Sequence, residues 1–184
     1  MENGLSVTNS GGVLSREELL TRILDTERPL LTHLLSVEAQ VQPNGVDLTI
    51  ARVHRFAGAG RIATDNAGRV LPELEELLPG EDGWFRLSQG PWHITYNEIV
   101  DLPNDLMALG RPRSSLGRSG VTIHTAVWDA GYRGRSTSLL QVVNPAGFAV
   151  QVNARVMQLV FFSLNAASEA GYSGRYQNEN TQDR

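Results

Sequence analysis

The second half of the chain admits few folds. Residues 121–127, 138–144, 147–152 and 155–164 are rich in β-branched and other apolar side chains, and Gly, Pro or Asn breaks separate them. Short strands with turn signals roughly every 8–12 residues close into a barrel or stack as a double-sheet jelly roll. Upstream, residues 46–56 alternate in the same way, and glycines at 58, 60 and 68 mark turns. Residues 85–87 and 92–96 read as short strands around a Gly90-Pro91 turn. Residues 99–109 hold a further strand and one helical turn, and residues 71–78 form a short acidic piece between prolines. One helix is expected. Ser15 and Glu18 make an S-x-x-E capping box ahead of Leu19, Leu20, Ile23 and Leu24 at helical spacing, which places it over residues 15–25. Trp84, Trp92 and Trp128 are read as core. The fold class is mainly β, a distorted barrel or jelly roll with a short N-terminal helix.

A chain of 184 residues suits one domain with a real core. Residues 1–13 read as a flexible polar arm, 14–166 as the β domain, and 167–184, rich in Gly, Ser, Asn and Gln, as a mobile tail. No cysteine is present, which excludes disulfides and thiolate chemistry. The four histidines, His33, His54, His93 and His124, show no metal-ligand spacing, so no protein metal site is expected. Every basic residue is arginine, which excludes a P-loop lysine or a Schiff base. A net charge of -4 argues against a nucleic-acid partner. No apolar run approaches the roughly 20 residues of a membrane span, and Met1-Glu2-Asn3-Gly4 lacks the plan of a signal peptide. A cytoplasmic setting is expected.

The chemistry concentrates between Arg113 and Asn144. Arg113-Ser114-Ser115-Leu116-Gly117-Arg118 brings cations and hydroxyls that suit phosphate oxygens. Asp129-Ala130-Gly131-Tyr132-Arg133-Gly134 brings a carboxylate suited to activating water and an aromatic face suited to a sugar or base. These residue types also have plain structural uses: Asp129 as a turn former, Tyr132 as core, the arginines as surface ion pairs.

The ordered set of blocks resembles the dUTPase/dCTP deaminase superfamily. Residues 14–20 are similar to its opening helix and Gln42-Pro43-Asn44-Gly45-Val46-Asp47-Leu48 to its first motif. Residues 113–118 are similar to its phosphate-binding motif and 129–134 to its catalytic hairpin motif. Residues 153–161 resemble its fourth motif and Tyr172-Ser173-Gly174-Arg175-Tyr176-Gln177 its closing tail. Six blocks in order span nearly the whole chain, and residues 124–132 look most like the archaeal-type dUTPases. The resemblance implies a homotrimer with shared active sites.

The family holds two chemistries. Its deaminases need a glutamate on the strand after the hairpin. Here that segment is residues 136–144, and no Asp or Glu occurs between Asp129 and Glu169. Leucine and glutamine carry no proton at neutral pH. The resemblance therefore implies a dUTP pyrophosphatase that yields dUMP and pyrophosphate, with Asp129 as general base. Arg113, Ser114, Ser115 and Arg118 would cradle phosphates, and Tyr132 would stack on deoxyribose. His124 and Thr125 lie in a hairpin that reads the base mainly through backbone groups. Gln158 is assigned either a structural hydrogen bond or a nucleotide contact. Arg175, Tyr176 and Gln177 would close over the ligand, and Asp47 is a supporting residue. Mg²⁺ would be held mainly by the triphosphate and water. The alternatives are a dCTP deaminase, a bifunctional deaminase–dUTPase, or a catalytically silent nucleotide-binding protein on the same fold.

Overall fold

The computed structural model describes residues 11–182. Helix α1 (Arg16–Ile23) starts where the capping box places it: Ser15 Oγ accepts from Glu18 N at 3.3 Å and Glu18 Oε2 accepts from Ser15 N at 2.8 Å. Its Leu19 and Ile23 are buried. The first strands are β1 (Leu31–Thr32), β2 (Val41–Gln42), β3 (Gly45–Ala57), β4 (Glu73–Leu77) and β5 (Trp84–Leu87), with α2 (Val37–Gln40) between β1 and β2. Next come β6 (Gly90–Tyr96), β7 (Ile99–Asp101) and β8 (Leu106–Pro112), then α3 (Ser114–Arg118). The remainder is β9 (Val121–His124), β10 (Val127–Trp128), β11 (Arg133–Gly134), β12 (Thr137–Val142), β13 (Phe148–Gln151) and β14 (Arg155–Ser163).

The main sheet runs β10-β8-β14-β3-β6-β12-β9, with β2 and β4 also paired to β3, and it curls into a half-barrel. Smaller sheets are β1-β7-β11 and β13-β5. The first six residues of β3 are all buried, whereas in its distal half Val53 alone is buried. Val46, Leu48, Ile50 and Val53 face the core, and a register shift between Ile50 and Arg52 keeps both halves in phase with it. Strand β14 contributes Val156, Met157, Leu159 and Phe161. Residues 1–10 of the expected arm lie outside the described residues. Gly12 and Val13 pair with the end of β14, through Ser163 N to Gly12 O at 2.8 Å and a Val13–Phe162 bridge.

Four local expectations are corrected. The acidic piece at 71–78 contains β4, which pairs with β3 from Leu77–Val53 to Glu73–Ala57. Its glutamates decorate a one-sided edge, where charge is tolerated and protective. Pro91 lies inside β6, opposite Gln141, rather than in a turn. Pairing of β6 with β3 ends at His93, so the N–H that proline lacks is not needed on that side. Residues 99–109 contain no helical turn; the short helix comes later, as α3. Trp84 is 38% exposed on the small β13-β5 sheet, while Trp92 and Trp128 are core as expected.

Buried Glu98 ties three elements together. It accepts from Gln40 Nε2 at 2.6 Å, Thr49 Oγ1 at 2.6 Å and Thr49 N at 3.0 Å. Burial still raises its carboxyl above the ordinary range, and the Thr49 and Gln40 bonds pull it back. On the outer face of the sheet, His54 and His93 stand opposite each other, with ring centroids 5.7 Å apart. His93 Nδ1 is buried with no hydrogen-bond partner. Burial first, then His54 and Arg52, depress its imidazole to about 4.

The sign of the resulting pH dependence is fixed. Folded His93 stays neutral while the unfolded chain takes a proton below its ordinary value of 6.5, so stability is lost as pH falls from there through about 4. We expect His93→Phe to make this decline shallower by at most about 1.4 kcal/mol per pH unit, one proton's worth. Urea midpoints of the two proteins across that window check it; parallel profiles would show that His93 is not the group responsible.

Candidate active site

The loop after β10 carries the predicted general base. Trp128 is buried and paired opposite Ala108 of β8, which places Asp129 as the next, exposed residue. The chain then turns sharply, with Tyr132 N donating to Asp129 O at 3.0 Å. Gly131 has φ of 82°, and a Cβ there would stand 2.6 Å from Gly171 Cα. Both the left-handed backbone and the close approach of the tail require glycine.

A cavity of about 270 Å³ opens beside this turn. Trp128, Asp129, Tyr132, Ser136, Tyr172, Tyr176 and Glu179 all line it. Tyr132 is 6% exposed. Its hydroxyl donates to Glu179 Oε1 at 2.8 Å and meets Ser136 Oγ at 3.0 Å. Burial pushes this phenol far above its ordinary range. Burial also raises the Glu179 carboxyl, and the Tyr132 hydrogen bond partly offsets that rise. The Tyr132 and Tyr172 rings meet edge to face at 5.7 Å. The cavity is therefore aromatic on its walls and acidic at two points.

Residues of the expected tail lie along the hairpin. Tyr172 N donates to Ala130 O at 2.8 Å, and Asn178 N to Arg133 O at 2.7 Å. The Gln177 amide donates to Gly131 O and accepts from Arg133 N, both at 2.9 Å. Arg135 N donates to Glu179 O at 2.9 Å. Backbone groups and the Gln177 amide thus supply much of the docking. Tyr176 lines the cavity with the Arg69 guanidinium 5.9 Å above its ring, and Arg175 is exposed beside it.

The remaining predicted residues do not line the cavity beside Asp129. Arg113 caps α3 by position only; Ser114, Ser115 and Arg118 are exposed on that helix. None of the four lines the Asp129 cavity. Exposed His124 ends β9, followed by half-buried Thr125, and neither lines the cavity. Gln158 sits on β14 between Asp47 and Arg111, where its side chain covers Gly45. Sequence reasoning missed Ser136 and Glu179 as cavity residues and gave Tyr172 no role. No signal in the sequence joined Glu179 to the hairpin. Among the described residues no three His, Asp or Glu side chains could hold a metal together.

Asp47 has a definite task. It is 2% exposed, and its Oδ2 lies 3.1 Å from Arg113 Nε and 3.3 Å from Arg155 Nη1. Arg113 Nη1 also donates to Arg155 O at 3.3 Å, and Arg155 donates to Ala39 O. Burial lifts the Asp47 carboxyl, and Arg113 and Arg155 pull against that rise. The pair fixes the start of α3 to the sheet. We expect Asp47→Asn to lower stability by roughly 1–2 kcal/mol, less than a fully buried pair because both arginines remain one-third exposed to water. Urea denaturation measures this, and an unchanged midpoint would remove the anchoring role.

A family model described as dCTP deaminase-like matches residues 13–164. The chain is 50% identical over 169 residues to a Methanosarcina mazei protein named probable deoxyuridine 5'-triphosphate nucleotidohydrolase, covering 92% of this chain and 98% of that one. An Archaeoglobus fulgidus protein of the same name is 45% identical over 168 residues, covering 91% of this chain and 97% of that one. Among solved structures, the 2'-deoxycytidine 5'-triphosphate deaminase from Agrobacterium tumefaciens superposes with a TM-score of 0.62 at 21% identity. That superposition covers 83% of this chain and spans 48% of the deaminase chain, and it bears on fold alone. With a match from the first paired residue to the end of β14, the chain belongs to the dCTP deaminase-like family, within the dUTPase/dCTP deaminase superfamily.

Proposed function

We propose that this protein is a dUTP pyrophosphatase, converting dUTP and water to dUMP and pyrophosphate. One observation carries the reading: an exposed carboxylate, Asp129, at the edge of an aromatic cavity lined in part by the chain's own tail. The names of the archaeal relatives support the same substrate. In this mechanism Asp129 takes a proton from a water aimed at the α-phosphorus. The new P–O bond forms as the bond to the β-phosphate bridging oxygen breaks, and pyrophosphate leaves. Tyr132 lies beneath the deoxyribose, and Tyr176 packs beside the nucleotide. A base of this kind supplies roughly 10²- to 10⁴-fold. Mg²⁺ would be held mainly by the triphosphate and water and would supply charge neutralisation there. A deaminase needs a carboxyl on β12, whose residues Thr137–Val142 include none.

The phosphate-binding motif lies outside the cavity of its own chain, and this supports a homotrimer in which α3 of one subunit serves the Asp129 of its neighbour. Asp47 already engages Arg113 through Nε, so Arg118 on the last turn of α3 is the freer cation for phosphate. A cytoplasmic location completes the reading.

Asp129→Asn keeps the shape and the turn while removing the base. We expect nucleotide binding to survive and turnover to fall by roughly 100-fold or more. Pyrophosphate release at near-wild-type rate by the purified variant would contradict the assignment. For the shared site, inactive Arg118→Ala and Asp129→Asn chains should regain activity when denatured and refolded together. Mixed oligomers confirmed by mass yet inactive would place both groups in one chain.

A further inference from the structure

Glu179 is the second carboxylate of the cavity, and the mechanism above leaves it unused. It ends a hydrogen-bond chain that can run in only one direction. Trp128 Nε1, a donor only, reaches Ser136 Oγ at 2.6 Å. Ser136 Oγ lies 3.0 Å from the Tyr132 hydroxyl, which donates to Glu179 Oε1 at 2.8 Å. Each hydroxyl then accepts once and donates once, and the carboxylate terminates the series. The Tyr132 ring is held at its tip by this chain and at its edge by Tyr172.

Glu179 reaches this position only through the docked tail. It bridges Gly134 in parallel register, and its carbonyl accepts from Arg135 N. Gly134 makes the meeting possible: a Cβ there would lie 2.5 Å from the Tyr132 oxygen and 3.1 Å from Glu179 Cγ. Steric rejection of one extra hydroxyl works only if the rejecting wall cannot retreat. A ring free to shift by a fraction of an ångström would admit a 2'-hydroxyl.

We propose that Glu179 is a positioning residue for sugar discrimination, locking Tyr132 against the deoxyribose when the tail closes. A ribonucleotide that displaces the ring must break the Tyr132–Glu179 bond and thereby loosen the tail. Selectivity and closure become one event. The inference rests on the reading of Tyr132 as the floor of the sugar site.

The test is the ratio of kcat/KM for dUTP to that for UTP, expected at roughly 10- to 200-fold in the wild type. Glu179→Ala should reduce this ratio about tenfold by raising UTP turnover relative to dUTP. Glu179→Gln keeps an acceptor oxygen for the phenol and should preserve the ratio. Tyr132→Phe should reproduce the loss, and adding Glu179→Ala to it should change the ratio no further. If Glu179→Ala lowers kcat/KM equally for both nucleotides, Glu179 merely docks the tail and the proposal is overturned. A wild type that hydrolyses dUTP and UTP alike would remove the sugar role of Tyr132 and this inference together. A wild type that hydrolyses neither would overturn the functional reading itself.

Discussion

Over residues 157–159, strand β14 is paired on both edges at once. Met157 stands opposite Leu48 and Pro112, Gln158 opposite Asp47 and Arg111, and Leu159 opposite Val46 and Gly110. Met157 and Leu159 point into the core from this register. A slip of one residue would send them outward and bring Gln158 inward, a loss of several kcal/mol at about 25 cal/mol per Å² of apolar surface. The same register delivers Asp47, Arg113 and Arg155 to one point, since Arg113 directly follows Pro112 of β8 and Arg155 opens β14. The placement of α3, and with it the proposed phosphate cradle, therefore follows from apolar packing on the opposite face of the same strands.

The cavity depends on a weaker kind of association. The tail brings Tyr172 and Tyr176 as its partly buried rings packed against the core, and otherwise docks through backbone and amide hydrogen bonds to residues 130–135. Each such bond contributes only about 1 kcal/mol net, against a backbone ordering cost of similar size per residue. A segment balanced in this way belongs at the low end of local stability, which suits the closing role proposed for it. Tyr132 links the two regimes. Its ring belongs to the packed core, and its hydroxyl reaches the tail.

Features with strong local physics were legible in the sequence. The capping box of α1, the existence of strand β3 and the strands after Gly120 each follow from short-range patterns. The Asp129–Tyr132 turn was legible because its glycine is required by φ. Features set by long-range register were not. Nothing near Asp47 shows that arginines 66 and 108 residues later in the chain will converge on it. Strand β4 was hidden because glutamate has low strand propensity, and only pairing with β3 makes it a strand. Trp84 reads as core in the sequence, but it lies on β5, which among the described residues forms a two-stranded sheet with β13. Glu179 escaped because composition marks the tail as polar and says nothing of where its side chains dock.

Product analysis on the intact protein tests the central claim most directly. With Mg²⁺ present, dUTP and dCTP are supplied separately, and dUMP, dUTP, pyrophosphate and ammonia are quantified. The account predicts equimolar dUMP and pyrophosphate from dUTP, with no ammonia from dCTP. Ammonia released from dCTP, or dUTP recovered unchanged at high enzyme concentration, would contradict it.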